Sequence, residues 1–99
     1  EEIEKKNLVG SFKEEEGYTI ILSKKEASNL GLTYYFVAAW ITLTMNSSLE
    51  SIGLTSSFSN ALAKQGISCN VIAGYFHDHI FVKFEDRNQA MEILNKLKF

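Results

Sequence analysis

The 99-residue chain has no proline and only one cysteine. Cys69, alone, excludes an intrachain disulfide and a cysteine zinc cluster, and a reduced, cytoplasmic setting fits. Long hydrophobic runs are also missing. The longest, Tyr34 to Ile41, falls far short of the roughly 20 residues of a membrane-spanning helix. No basic-then-apolar signal segment opens the chain, and Glu1 in place of methionine points to residues upstream. Basic charge is sparse: 10 Lys and Arg against 12 Asp and Glu give a net charge of −2 and a pI near 5.7. A nucleic-acid partner calls for a basic face, and these cations are spread along the chain, so none is expected. There is no low-complexity tract and no clear internal repeat, which removes linker and solenoid architectures.

What is present is ordinary for a globular protein: 45% apolar and 22% charged residues. The length allows one compact domain with a modest core. A domain of this size buries only roughly 60–70% of its unfolded surface, so pairing with a second copy would help it.

Residues 1–7 (EEIEKKN) read as a charged, frayed start. Leu8 to Lys13 fits a short strand, Lys13 to Gly17 (KEEEG) an acidic solvated turn, and Tyr18 to Ser23 a clearer strand rich in β-branched residues. The two strands predict a hairpin. Lys24 to Gly31 reads as a helical turn with a glycine cap. Tyr34 to Met45 is the longest predicted strand, with Ala39, Ile41, Leu43 and Met45 on one face and Trp40, Thr42 and Thr44 on the other. Asn46 to Gly53 (NSSLESIG) then leads into a helix whose Leu54, Phe58, Ala61, Leu62 and Gln65 form a stripe that Gly66 stops. Strands follow at Ile67 to Gly74 and His79 to Glu85. A last helix is expected to start from Asp86 as N-cap, with Gln89 in a capping-box position, and to bury Ala90, Ile93, Leu94 and Leu97.

From Tyr34 the order is β-α-β-β-α, a ferredoxin-like unit without its sixth element. The expected fold class is therefore α+β, an antiparallel sheet with two main helices on one face. Residues 18–23 would supply the last strand in a circularly permuted arrangement. The expected division is a frayed segment at 1–7, a hairpin completing the sheet at 8–33 and a core at 34–99. The expected strand order leaves Ile67 to Gly74 at an edge, and exposed edges invite pairing with another chain.

Three strings, ITLT-x-x-SSLE-x-x-G, GIS-x-NVIAGY and HDHIFV, stand in this order between Ile41 and Val82. With the helix between them they resemble the ACT domain, and in particular small ACT-like proteins related to the CASTOR-type tandem-ACT amino-acid sensors. The resemblance implies a ferredoxin-like (ACT-type) sandwich and a non-catalytic regulatory role exercised by binding a small molecule, typically an amino acid. It also implies a homodimer, formed by edge-strand or side-by-side ACT pairing, with the ligand between the first strand–helix loop of one copy and the second strand of its neighbour. The usual Asp-x-Pro-Gly of that loop is Glu50-Ser51-Ile52-Gly53 here, keeping the acid and the glycine but not the proline.

The candidate ligand residues are Ser48, Glu50, Ser51, Ile52, Gly53 and Leu54 on the loop and helix start, Asn70, Val71 and Ile72 on the edge strand, and Asp78. Backbone N–H groups from Ile52 to Thr55 suit a carboxylate. Gly53 lets a ligand approach closely, or serves a tight turn. Each serine can equally cap the helix. Glu50 and Asp78 suit an ammonium group, with a solvated carboxylate and a turn former as their plain alternatives. Asn70 can donate and accept, Ile72 suits an apolar wall, and Gly74 marks a bulge or close approach.

His77 and His79 lack a third ligand, so no metal is expected, and no cofactor. Trp40, Tyr34, Tyr35 and Phe36 read as packing residues, and Cys69 as a buried, inert thiol. Two other functions compete: a dimerising interaction module without a ligand, and a small enzyme using His77 or His79. No nucleophile, second base or oxyanion arrangement supports the enzyme.

Overall fold

The computed structural model describes residues 8–43 and 54–97. The elements are β1 (Leu8–Lys13), β2 (Tyr18–Leu22), α1 (Lys24–Asn29), β3 (Ala38–Leu43), α2 (Leu54–Lys64), β4 (Cys69–Ala73), β5 (Asp78–Lys83), a 3-10 turn (Phe84–Asp86) and α3 (Arg87–Lys96). The class is α+β with antiparallel sheets and three helices, consistent with an ACT or ferredoxin-like fold. None of the described helices is long and apolar enough to cross a membrane.

The described strands pair as two sheets, β1-β2 and β3-β5-β4. The order β3-β5-β4 is the expected one, with β4 at an edge. The permuted join that would make a single five-stranded sheet is not among the pairings of the described residues. The chain accordingly divides into two compact units, residues 1–35 and 36–99.

In the first unit, β1 and β2 form the expected hairpin, with a register shift between Leu8 and Gly10. The Thr19 hydroxyl donates to the Glu14 carboxylate beside the turn. Ser23, read from sequence as the end of a strand, is the N-cap of α1: its hydroxyl accepts from the Glu26 N–H at 3.1 Å. At the other end Gly31 takes φ +69°, and the N–H groups of Gly31 and Leu32 close onto Ser28 and Ala27. That is a Schellman stop, in which a glycine adopts the left-handed conformation without a Cβ penalty.

In the second unit, period-two alternation decides which side of the sheet meets the helices. Ala39, Ile41 and Leu43 on β3, Cys69 and Val71 on β4, and Ile80 and Val82 on β5 all belong to one cluster with Phe58 and Leu62 of α2 and Ala90, Ile93 and Leu94 of α3. Both long helices therefore pack on the same face of the sheet, as expected. Phe58, Leu62, Ile80 and Val82 are fully buried, each contributing about 1.5–3 kcal/mol of burial free energy. Helix α2 ends as its sequence predicts: Gly66 has φ +76°, and the N–H groups of Gly66 and Ile67 bond to Ala63 and Leu62.

Three expectations are corrected here. The long strand is shorter than Tyr34 to Met45, starting at Ala38, and its far end lies outside the described residues. The capping box at Asp86 does not form. A 3-10 turn feeds α3, which puts Asp86 at φ −93°, ψ 3° instead of the extended conformation a capping side chain needs. Arg87 takes over that turn, donating to the Phe84 carbonyl at 2.8 Å with its guanidinium over the Phe84 ring. The aromatics Tyr34, Tyr35, Phe36 and Trp40, read as packing residues, are all exposed, Tyr35 at 98%.

Candidate functional site

The face of the three-stranded sheet opposite its helices carries the other half of the alternation. The register sets Trp40 opposite Phe81 and Phe81 opposite Asn70 in one row, and Thr42 opposite His79 and His79 opposite Ile72 in the next. These side chains make a patch of their own. Trp40 stacks on Phe81 with ring centroids 6.1 Å apart, and its indole N–H donates to His79 Nδ1 at 3.0 Å. The Thr42 hydroxyl lies 3.2 Å from the same nitrogen. Because an indole N–H can only donate, Nδ1 is an acceptor, and the ring proton of the neutral imidazole sits on Nε2.

Gly74 leaves room for the His79 ring beside the β4–β5 turn. A Cβ at Gly74 would lie 2.9 Å from the His77 carbonyl oxygen and 3.4 Å from His79 Nε2. The Gly74 N–H donates to that carbonyl at 2.9 Å. The close approach expected at Gly74 is thus the closing contact of the β4–β5 turn. At its tip Tyr75 and Phe76 project into solvent, 95% and 80% exposed, edge to face with each other. His77 packs edge-on against His79 at 6.5 Å, and its Nδ1 is enclosed without a hydrogen-bond partner among the described residues. No group of three or more potential metal-binding side chains occurs among the described residues.

The sequence-predicted ligand residues fall in three places. Ser48, Glu50, Ser51, Ile52 and Gly53 lie outside the described residues, and Leu54 opens α2. Asn70 and Ile72 are exposed on the open face of β4. Val71 points the other way and packs against the core, leaving only its backbone for an outside ligand. Asp78, half-buried, pairs with Ala73 and Leu43 at the opposite end of the ladder from Asn70. Asn70 and Ile72 therefore share a face that Val71 and Asp78 do not. Cys69 is a free, half-buried thiol whose side chain meets the core, 4.0 Å from the Ser59 hydroxyl. The Trp40–His79 bond has no signature in sequence, because its partners stand 39 residues apart and meet only through the β3–β5 register.

An ACT domain family model matches residues 36–96. The chain belongs to the ACT domain family. A second ACT domain model matches residues 1–39, so the N-terminal segment carries ACT-like sequence of its own. The chain is also similar to a crystal structure of VC0802 from Vibrio cholerae, a protein of unknown function described as a possible transport protein. Identity is 48% and the TM-score 0.80, over 88% of this chain and 66% of that one. It thus spans just under two thirds of that protein's length. No curated protein matches the chain. ACT domains are generally small-molecule-binding regulatory domains, and typically not catalytic. In ACT terms β3 is the first strand of the unit, α2 its first helix, and β4 the second strand, at the edge of its sheet.

Proposed function

We propose that this ACT domain is a non-catalytic regulatory module that binds an amino acid between two copies. The strand–helix loop of one copy, with Ser48, Glu50, Ser51, Ile52, Gly53 and the start of α2 at Leu54, holds the ligand against the β4 edge of the other. Asn70 and Ile72 act there by side chain, Val71 by its backbone, and Asp78 takes an ammonium group. The observation that carries this reading is the family match over residues 36–96, which spans both the loop and β4. The edge position of β4 supports it, since an edge strand offers unpaired N–H and C=O groups to a neighbour.

Isothermal titration with each of the twenty amino acids tests the proposal, alongside thermal melts. A ligand held at a hundredfold excess over its Kd adds about 2.7 kcal/mol, which raises Tm by roughly 10–20 °C in a domain of this size. A flat response to all twenty refutes amino-acid binding.

A second reading, a dimerising module with no ligand, gains support from the outward aromatics Trp40, Tyr75 and Phe76. Exposed apolar surface of that kind marks interaction sites. It predicts a stable dimer in sedimentation with no ligand-dependent change in Tm.

A further inference from the structure

One end of the open sheet face is shaped differently from the rest. Phe36, Ser68, Cys69, Asn70, Phe81 and Lys83 line a shallow cavity of about 240 Å³. Three chain segments converge on it. Lys83 and Phe81 are two residues apart on β5 and project from the same face. Asn70 stands opposite Phe81 from the edge strand, and Phe36 comes from the segment entering β3. Phe81 is only 9% exposed, and Trp40, stacked on it, extends the apolar surface beyond the cavity. The charge is one-sided: Lys83 is the one charged residue in the lining, and no carboxylate joins it among the described residues.

We propose that this shelf binds a small aromatic carboxylate. The ring lies against Phe81 and Phe36, where offset or edge-on aromatic contacts favour it over an aliphatic group of equal size. The carboxylate reaches the Lys83 ammonium group, with hydrogen-bond donors available from the Asn70 amide and the Ser68 hydroxyl; charge-assisted bonds of this type are the stronger class. Size sets the ceiling. The cavity is smaller than the roughly 300–1,000 Å³ of sites for drug-sized ligands, which suits a single ring with a short acid arm. A cationic aromatic is rejected, because it would meet Lys83 with no carboxylate to offset the repulsion. This site is separate from the loop-and-edge site proposed above and shares only Asn70 with it.

Trp40 is the chain's single tryptophan, so its emission reports on the shelf directly. The test is titration of the full chain with phenylacetate, followed by tryptophan fluorescence and calorimetry, with benzylamine and hexanoate in parallel. The expected result is a saturable response to phenylacetate, a much weaker one to hexanoate and none to benzylamine. Lys83→Met should weaken phenylacetate at least about tenfold, the loss of one charged hydrogen bond, with unchanged circular dichroism. Phe36→Ala, at an exposed position outside any strand or helix, should weaken it as well and provides a second variant that does not disturb the core. Heat from a non-aromatic amino acid with the native chain should survive Lys83→Met, which separates this site from the one between copies. An absent or non-saturating phenylacetate response, an equal response to benzylamine, or undiminished binding by Lys83→Met overturns the proposal.

Discussion

Replacing Gly74 by alanine puts a methyl group where the β4–β5 turn has no room for one. The added Cβ would sit 2.9 Å from the His77 carbonyl oxygen, inside ordinary van der Waals contact. The obstacle is backbone, so no side-chain rotation relieves it. The carbonyl is fixed by the Gly74 N–H, which donates to it at 2.9 Å. The turn must open by several tenths of an ångström, lengthening that bond and pressing on the His79 ring, whose Nε2 lies 3.4 Å from the new methyl. Overpacking of this kind costs about 1–3 kcal/mol. For a domain of this size that lowers Tm by roughly 4–8 °C per kcal/mol.

The sign is the decisive part. Gly→Ala at a strain-free position stabilises by about 0.4–1 kcal/mol, because alanine reduces the freedom of the unfolded chain. Gly10 supplies the contrast: among the described residues, a Cβ there meets only Ile21 Cδ1, at 3.9 Å. Thermal melts of both variants should therefore move in opposite directions, Gly74→Ala down and Gly10→Ala level or up. Because His79 holds the Trp40 indole, Gly74→Ala should also shift tryptophan emission. A Gly74→Ala melt that matches the native protein, with unchanged emission, would refute the steric account of this turn.

Phe58→Ala empties a fully buried position of α2, in the core it shares with α3 and the sheet, and should cost about 3–5 kcal/mol, read by urea denaturation. Ser23→Ala removes the hydroxyl that caps α1 and should cost about 1 kcal/mol. Asp86→Ala removes no capping bond and should stay within about 0.5 kcal/mol, so the pair distinguishes the observed caps from the one the sequence suggests. His79→Ala deletes the acceptor of the Trp40 indole N–H. Its emission spectrum should then differ from that of the native protein while the helices, by circular dichroism, stay intact.

Sequence pattern alone revealed what depends on short-range periodicity. The alternation of Ala39, Ile41 and Leu43 against Trp40 and Thr42 gave β3 its two faces, and the Phe58–Leu62 spacing gave α2 its buried stripe. Gly31 and Gly66 gave the helix stops, because a left-handed stop residue has a local signature. At Asp86 the residue types fit a cap, but the 3-10 turn ahead of it sets the wrong backbone angles. Ser23 is not recognisable as a cap from sequence, because a strand-ending serine and a capping serine look alike in one dimension. At Gly74 a close approach could be anticipated, but not that the His77 carbonyl makes it. Of the candidate ligand residues, the outward placement of Asn70 and Ile72 follows from alternation. Their relation to the Ser48–Gly53 loop does not, since that segment lies outside the described residues.

The open face of the three-stranded sheet carries both polar and aromatic side chains. Polar groups on an uncovered face can bond to water, and they become costly only when a covering layer takes that water away without replacing its hydrogen bonds. Here the polar groups in the middle of the face answer one another: the Trp40 N–H and the Thr42 hydroxyl both meet His79 Nδ1. His79 Nδ1 is thus engaged from two sides within the face itself. The ends differ. At one, the Tyr75–Phe76 tip stands in solvent. At the other, Lys83 and Asn70 bring hydrogen-bonding capacity beside the rings of Phe36 and Phe81. An apolar protein layer laid over that end would have to desolvate the Lys83 ammonium group without supplying a counter-charge, whereas a small ring carrying a carboxylate supplies both the contact and the charge. The distribution of polar groups over the face, more than its apolar area, therefore favours a small anionic occupant over a second sheet or helix.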